Sequence, residues 1–136
     1  FGYNYRMTDV SAAIGREQLK KLPNFNARRR EIAEMYNSEL SELVTTPKNR
    51  RGHVFHQYTI RSNQRDDLRE FLLNRKINTG IYYPKLLYNY PSMADYLSNC
   101  PNAETLVREV LSLPVHPALS DSDVFEVISS IKTFFE

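Results

Sequence analysis

One apolar stripe constrains the fold of this chain more than any other feature. It runs through "NFNARRREIAEMYNSELSEL", and a stripe at helical spacing predicts a helix that buries one face against other elements. Pro23 stands just before it, and a proline ends or kinks a helix. The stripe is sustained for five turns by Phe25, Ile32, Tyr36, Leu40 and Leu43.

A second helical pattern precedes Pro23, in "TDVSAAIGREQLKKL". Thr8 can cap its first turn, and Asp9 favours a helix start. We expect this helix to end near Pro23, so that two helices lead the chain. Its apolar face carries Val10, Ala13 and Ile14.

The remaining segments alternate between strand and helix patterns. "HVFHQYTIRS", "TGIYY" and "LSLPV" predict three short strands. "DDLREFLLNRKI", "PNAETLVREVLSL" and "SDSDVFEVISSIKTFF" predict helices, and Ser120 with Asp123 resembles a capping box before the last of them. We therefore predict an α/β (α+β) fold, with a small three-stranded sheet covered by helices and preceded by two helices.

The histidines do not predict a metal site. His53 and His56 have a common ligand spacing, but residues three apart on a strand point to opposite faces. Strict alternation also predicts that His56 shares its face with Val54, Tyr58 and Ile60. His116 stands between two prolines, where a structural role in the loop is the simpler interpretation.

Composition and charge narrow the class of function. The 136 residues amount to about one domain, and a net charge of +2 is too small to predict a nucleic-acid or membrane partner. No apolar run approaches the roughly 20 residues that span a bilayer, and no apolar stretch resembles a signal peptide. Because Cys100 is the only cysteine, no intrachain disulfide can form, which fits a reducing cytoplasm.

Basic residues give no obvious reactive group. None of the six lysines has a sequence context that predicts a Schiff-base nucleophile. Arg28, Arg29 and Arg30 point around their helix, which favours a solvated surface over an anion site. We predict no catalytic residue within this chain.

Two motifs leave more than one role open. In "GYNYRM", Asn4 and Arg6 suit recognition of an anion, and a polar turn that supports the fold explains them as well. A tyrosine-rich loop after the second predicted strand can line a ligand pocket or pack against another subunit or domain. Its phenols are Tyr82, Tyr83, Tyr88, Tyr90 and Tyr96.

Several stretches, taken in order, are similar to a known family. They resemble the C-terminal part of the DegT/DnrJ/EryC1/StrS sugar aminotransferases, which are fold-type I pyridoxal phosphate enzymes. The opening GxNxRM with its following helix is the most specific of the stretches. They are "GYNYRMTDVSAAIGREQLKKL", "RRREIAEMYNSEL", "HVFHQYTIR", "INTGIYYPKLL", "CPNAE" and "VLSLPVHPALSDSDV".

The resemblance implies that this chain is the C-terminal part of a homodimeric enzyme. Residues 1–46 would be leading helices that connect to a large domain with the cofactor lysine, and residues 47–136 would form the small α/β domain. Asn4 would reach across the dimer interface to the phosphate of pyridoxal phosphate. Arg6 would lie near the same composite site and touch a nucleotide sugar.

The sequence departs from the family pattern after the second predicted strand. Many members read Tyr-Pro-x-Pro-Leu-His, whereas this chain reads "YPKLLY". Tyr88 replaces a histidine associated with the sugar-nucleotide pocket, so we expect it to contact substrate as a neutral hydrogen-bonding group. Lys76 stands where a glycine is frequent.

The implied reaction of the intact enzyme is amino transfer from glutamate to a keto-deoxysugar nucleotide, within surface-polysaccharide or glycosylated-metabolite synthesis. Two alternatives stay open at this point. Some relatives in the family are dehydratases that carry a histidine in place of the lysine. The chain could also be a non-catalytic interaction module with the small-domain fold.

Overall fold

The computed structural model describes residues 2–3, 5–93, 95–96 and 98–136. Helices and two short strands alternate in this part of the chain. Two 3-10 turns, Leu87–Asn89 and Pro91–Met93, interrupt the long loop before the third helix. In chain order the elements are α1 (Asp9–Leu40), β1 (Tyr58–Arg61), α2 (Arg65–Asn74), α3 (Pro101–Glu109), β2 (Val110–Leu113) and α4 (Asp121–Phe135).

The predicted pair of leading helices is wrong, because α1 is a single helix of 32 residues that passes through Pro23. Thr8 caps it as expected, and its hydroxyl accepts a hydrogen bond from the backbone N–H of Ser11. Pro23 removes one backbone donor, but it lies on an exposed turn where water can hydrate the unpaired carbonyl. Buried side chains then hold the C-terminal half of α1 in the core.

The sheet has two strands, and β1 pairs antiparallel with β2. Single-residue bridges extend it on both sides, where Thr45 pairs with Arg61 and Gly80 pairs with Ser112. The predicted strand "TGIYY" is thus reduced to Gly80, and three full strands do not form. The backbone bends at Tyr82, which ends the extended segment, and the Tyr82 ring lies 2.8 Å from where a Cβ on Gly80 would stand.

The first predicted strand begins later than its composition suggests. Phe55 has a positive φ of 47°, which ends regular extended structure before β1. Phe55 is buried, whereas Val54 and His56 are exposed. The predicted common face is therefore correct for Tyr58 and Ile60. It is wrong for Val54 and His56, which flank the irregular backbone at Phe55.

The three later helices confirm their sequence patterns. Ser120 and Asp123 form a full capping box at the start of α4, with both side-chain-to-backbone hydrogen bonds present. The Ser120 hydroxyl and the Ser120 backbone N–H both donate to the Asp123 carboxylate, which lowers the pKa of this carboxyl. One core receives buried side chains from α1, β1, α2, β2 and α4. Helix α3 contributes none, and Arg65 holds its end by donating to the carbonyls of Val107 and Val110.

Helix α2 ends in a Schellman motif at a residue other than glycine. Lys76 adopts a left-handed φ of 62° and donates from its backbone N–H to Leu73 O at 2.8 Å. Ile77 donates to Leu72 O at 2.9 Å, and both of these side chains are buried. The hydrogen bonding is complete, so the remaining cost is the crowding of the Lys76 Cβ in this conformation.

We predict that Lys76→Gly stabilises the chain. Glycine adopts a left-handed φ without a Cβ clash, so the gain in unfolding free energy should be about 1 kcal/mol. Lys76→Ala is the matched control, since it shortens the side chain and keeps the Cβ. Urea unfolding of the three proteins measures the difference, and equal midpoints for the glycine and alanine variants would contradict the strain argument.

Candidate functional site

The segment before α1 presents polar and aromatic groups to the surface. Tyr3, Tyr5 and Arg6 are exposed, and the two phenol rings stack with centroids 5.5 Å apart. Asn4 lies outside the described residues. Arg6 therefore stands as an accessible guanidinium two residues before the N-cap of α1.

The first half of α1 carries an exposed apolar stripe. An apolar set of this kind on one stretch of helix is typical of a surface that another polypeptide covers. Val10 retains 71% of its exposure and Ile14 59%, whereas Ile32 and Tyr36 on the second half are fully buried. Val10, Ile14 and Phe25 share one face of the helix, Leu22 lies at its edge, and Leu19, also exposed, lies on the opposite side from Val10.

Tyr88 is tied to α3. Its hydroxyl donates a hydrogen bond to a Glu104 carboxylate oxygen at 2.8 Å, and the side chain is half-buried. This bond raises the pKa of Tyr88 to about 12, because ionisation would place two anions side by side. The phenol proton is therefore engaged within the loop, and its oxygen keeps capacity to accept a hydrogen bond. The other phenols of the loop, Tyr82, Tyr83, Tyr90 and Tyr96, are exposed.

A cavity of about 350 Å³ lies where α1 faces the end of β2 and the Gly80 bridge. It brings together residues that are far apart in sequence, among them Arg29, His56, Asn78 and His116. None of its lining residues is acidic. Sequence reasoning did not find this site, because no local motif links a helix to two separate loops.

The cationic member of the cavity has an unmet hydrogen-bonding group. The Nε of Arg29 is buried and has no hydrogen-bond partner among the described residues. His116 accepts at Nδ1 from the backbone N–H of Ala118 at 3.1 Å, so its Nε2 carries the ring proton. The cavity thus offers a cationic donor and no anionic acceptor among its lining residues.

The expectation that Arg28, Arg29 and Arg30 form a solvated surface is wrong for two of them. Arg28 donates to the Leu119 carbonyl at 2.9 Å and to an Asp121 carboxylate oxygen at 2.7 Å, which joins α1 to the start of α4. Arg29 lines the cavity, and Arg30 is exposed as expected. Tertiary contacts decide their roles, and charge spacing along one helix does not reveal them.

The other candidate groups, namely the lysines, the possible metal ligands, Arg6 and Tyr88, do not come together in one site. All six lysines lie within the described residues, and five are exposed while Lys132 is half-buried and pairs with Glu39. No group of three His, Cys, Asp or Glu side chains that could hold a metal occurs in the ranges that the structure describes. In the same ranges, no hydrogen bond or ion pair joins Arg6 to Tyr88 or to the cavity. No helix of the described residues is long and apolar enough to cross a membrane.

His53 takes a local structural role. Its Nδ1 accepts a hydrogen bond from the backbone N–H of Phe55 at 3.0 Å, and its ring lies 4.1 Å from that of Phe55. Cys100 is exposed and unbridged.

We predict that Glu104→Gln lowers the pKa of Tyr88 from about 12 toward the ordinary value of about 10. The folded-state pKa lies above the unfolded one, so this bond stabilises the fold fully below pH 10 and loses its effect as pH rises through 12. NMR of ¹³Cζ-labelled tyrosine measures the titration, with Glu126→Gln on α4 as the control. A Tyr88 resonance that titrates identically in the parent and in Glu104→Gln would count against the contact.

The model of the DegT/DnrJ/EryC1/StrS aminotransferase family matches residues 1–132. The pleiotropic regulatory protein of Geobacillus stearothermophilus is 38% identical over 143 residues, a match that covers 98% of this chain and 38% of that protein. The GDP-perosamine synthase of Escherichia coli O157:H7 is 36% identical over 141 residues, with 98% of this chain and 38% of the synthase covered.

A solved structure agrees with these matches. The crystal structure of S. venezuelae DesV in complex with a ketimine intermediate superposes with a TM-score of 0.92 at 33% identity. The superposition covers 99% of this chain and 38% of DesV, so the chain spans well under half the length of these relatives. The resemblance seen in the sequence is confirmed, and the chain belongs to the DegT/DnrJ/EryC1/StrS aminotransferase family.

Proposed function

We propose that this chain is the C-terminal part of a pyridoxal phosphate-dependent enzyme that moves an amino group from glutamate to a keto-deoxysugar nucleotide. Family membership over residues 1–132 is the observation that carries the proposal. The names of relatives support the same reaction, since one is a GDP-perosamine synthase. A ketimine, present in the DesV structure, is the carbon–nitrogen double bond expected when an amine meets a ketone.

The exposed guanidinium before α1 fits a ligand that carries phosphate. Arg6 is an exposed guanidinium close to the first turn of α1, and phosphate oxygens accept hydrogen bonds from such groups. No lysine of the chain is buried, so the residue that would hold the cofactor aldehyde belongs to another part of the protein. Pyridoxal phosphate, when bound, supplies the electron sink for amino transfer.

The residues of this chain would then bind and orient. Asn4 is proposed to donate its amide to the cofactor phosphate of the neighbouring subunit in a homodimer. Arg6 would contact the nucleotide sugar with its fixed positive charge. Tyr88, whose proton is held by Glu104, would accept a hydrogen bond from the sugar nucleotide. We place the enzyme in the cytoplasm, in synthesis of surface polysaccharide or glycosylated metabolites.

The name of one relative suggests a second candidate function. The Geobacillus relative is called a pleiotropic regulatory protein, which suits a regulatory interaction module as well as an enzyme. The dehydratase alternative differs only in the group that replaces the cofactor lysine. Whether the regulatory module or the dehydratase alternative holds depends on sequence outside this chain.

We expect the intact protein to transfer amino groups and the 136-residue chain alone to be inactive. The reason is that the chain offers cofactor-phosphate contacts without a desolvated lysine. Each protein is incubated with pyridoxal phosphate, glutamate and keto-sugar nucleotides, and the amino-sugar product is measured. Turnover by the chain above that of the cofactor in solution would contradict the division of roles, and an inactive intact protein would favour the regulatory module.

We also predict that Asn4→Ala weakens cofactor binding by the intact protein roughly 10- to 150-fold, the effect of losing one hydrogen bond to a charged group. Spectroscopic titration with pyridoxal phosphate measures the change. Asn24→Ala, on the exposed surface of α1, is the control. An unchanged dissociation constant in a correctly folded Asn4→Ala dimer would rule out the contact.

A further inference from the structure

We propose that the cavity beside Arg29 binds a carboxylate, and that in the intact protein this is a carboxylate of the amino donor. The second half of this statement rests on the proposed function, and the first half rests on the cavity alone. The volume, about 350 Å³, lies at the lower end of the range for small-molecule sites.

The charge of the lining favours an anion. Arg29 is its only permanently charged residue, and no carboxylate among the lining residues neutralises it. The salt bridges of the neighbouring arginine differ in this respect, since Arg28 pairs with both Glu31 and Asp121. Arg29 therefore retains a charge that a ligand can match.

The hydrogen bonding of Arg29 gives an independent reason. Its Nε is shielded by surrounding protein atoms and has no partner among the described residues, so no carboxylate of the chain already pairs with this nitrogen. The guanidinium presents its N–H groups as a planar fork that fits the two oxygens of a carboxylate. A carboxylate in the cavity would supply the anionic acceptor that the lining residues lack.

Neutral donors surround this charge. His116 carries its proton on Nε2, because Nδ1 accepts from the backbone of Ala118. Gln57, Asn78 and Thr79 add amide and hydroxyl groups. One full positive charge matches a carboxylate, whereas a phosphate carries close to two negative charges at neutral pH.

The rim of the cavity can adjust to a ligand. The ring of Tyr82 lies against Gly80, within 2.8 Å of where a Cβ would stand, and the side chain remains 58% exposed. A side chain with this exposure can rotate at little cost. The position of Gly80 is fixed, because it exchanges two backbone hydrogen bonds with Ser112.

The first experiment uses the full chain and known anions. ¹⁵N NMR titrations with glutamate, succinate and inorganic phosphate are recorded for the parent, Arg29→Met and the exposed neighbour Arg30→Met. We expect saturable shifts at residues 78–80 and 115–116 with both carboxylates, weakened roughly 10- to 100-fold by Arg29→Met and unchanged by Arg30→Met. If Arg29→Met does not fold, Arg29→Lys keeps the charge without the fork and should give an intermediate loss.

Three results of this titration would overturn the carboxylate site. They are an absence of saturable shifts in the parent, equal affinity in the parent and both Arg29 variants, and tighter binding of phosphate than of either carboxylate.

The second experiment uses the intact protein. Arg29→Met should raise the KM for glutamate roughly 10- to 100-fold, with kcat and the KM for the sugar nucleotide nearly unchanged. An active enzyme whose glutamate KM does not respond would overturn the assignment to the amino donor. An intact protein without any transfer activity would defeat the proposed function, and the titrations would still decide whether the cavity binds carboxylates.

Discussion

The hydrogen bond from the Tyr36 hydroxyl to the Pro114 carbonyl, 2.9 Å long, holds together the parts on which the rest of the structure depends. The Tyr36 ring is fully buried on α1 and lies 4.9 Å from the ring of Tyr58 on β1. Tyr58 in turn donates to the Asn37 side-chain oxygen at 2.7 Å. Burial raises the pKa of both phenols, which keeps them as neutral donors, and each buried hydroxyl has the partner it needs. One helix, one strand and the segment after β2 are thereby fixed against each other.

This arrangement also shapes the cavity. Pro114 accepts the Tyr36 hydrogen bond and lines the cavity, and Arg29 lies two turns before Tyr36 on the same helix. The pairing of Gly80 with Ser112 brings the opposite wall to the same place. The cavity is therefore a consequence of how the core is closed, since each of its walls is attached to an element that the core holds. The core fixes the position of Arg29, the cationic residue of the cavity, but supplies no hydrogen-bond partner for its Nε among the described residues.

Local patterns and tertiary packing explain different parts of this structure. The capping box at Ser120, the cap at Thr8 and the periodicity of α2 and α4 depend on near neighbours, and the sequence predicts them correctly. Pro23 and Phe55 are the main positions at which prediction from the sequence fails. A proline is tolerated within α1 because the following turns are held by buried contacts, and the positive φ of Phe55 is set by a buried ring and by the His53 side chain. The role of Arg29 could not be read from its neighbours, because its surroundings come from residues 27 to 87 positions later in the chain.

The two halves of α1 show why the proposed cofactor contacts need more than this chain. Both halves carry apolar residues at helical spacing, but only the second has core partners among the described residues. Arg6 stands immediately before the exposed half, so the position of its guanidinium relative to a ligand depends on whatever polypeptide covers Val10 and Ile14. A flexible cation far from a fixed partner loses side-chain entropy on binding and gains little affinity. Covering the stripe would fix the start of α1 and remove part of that cost. If Asn4 and Arg6 bind phosphate as proposed, the assembly of the intact protein and the ordering of these contacts would be coupled, whereas the Arg29 cavity is already formed within the chain.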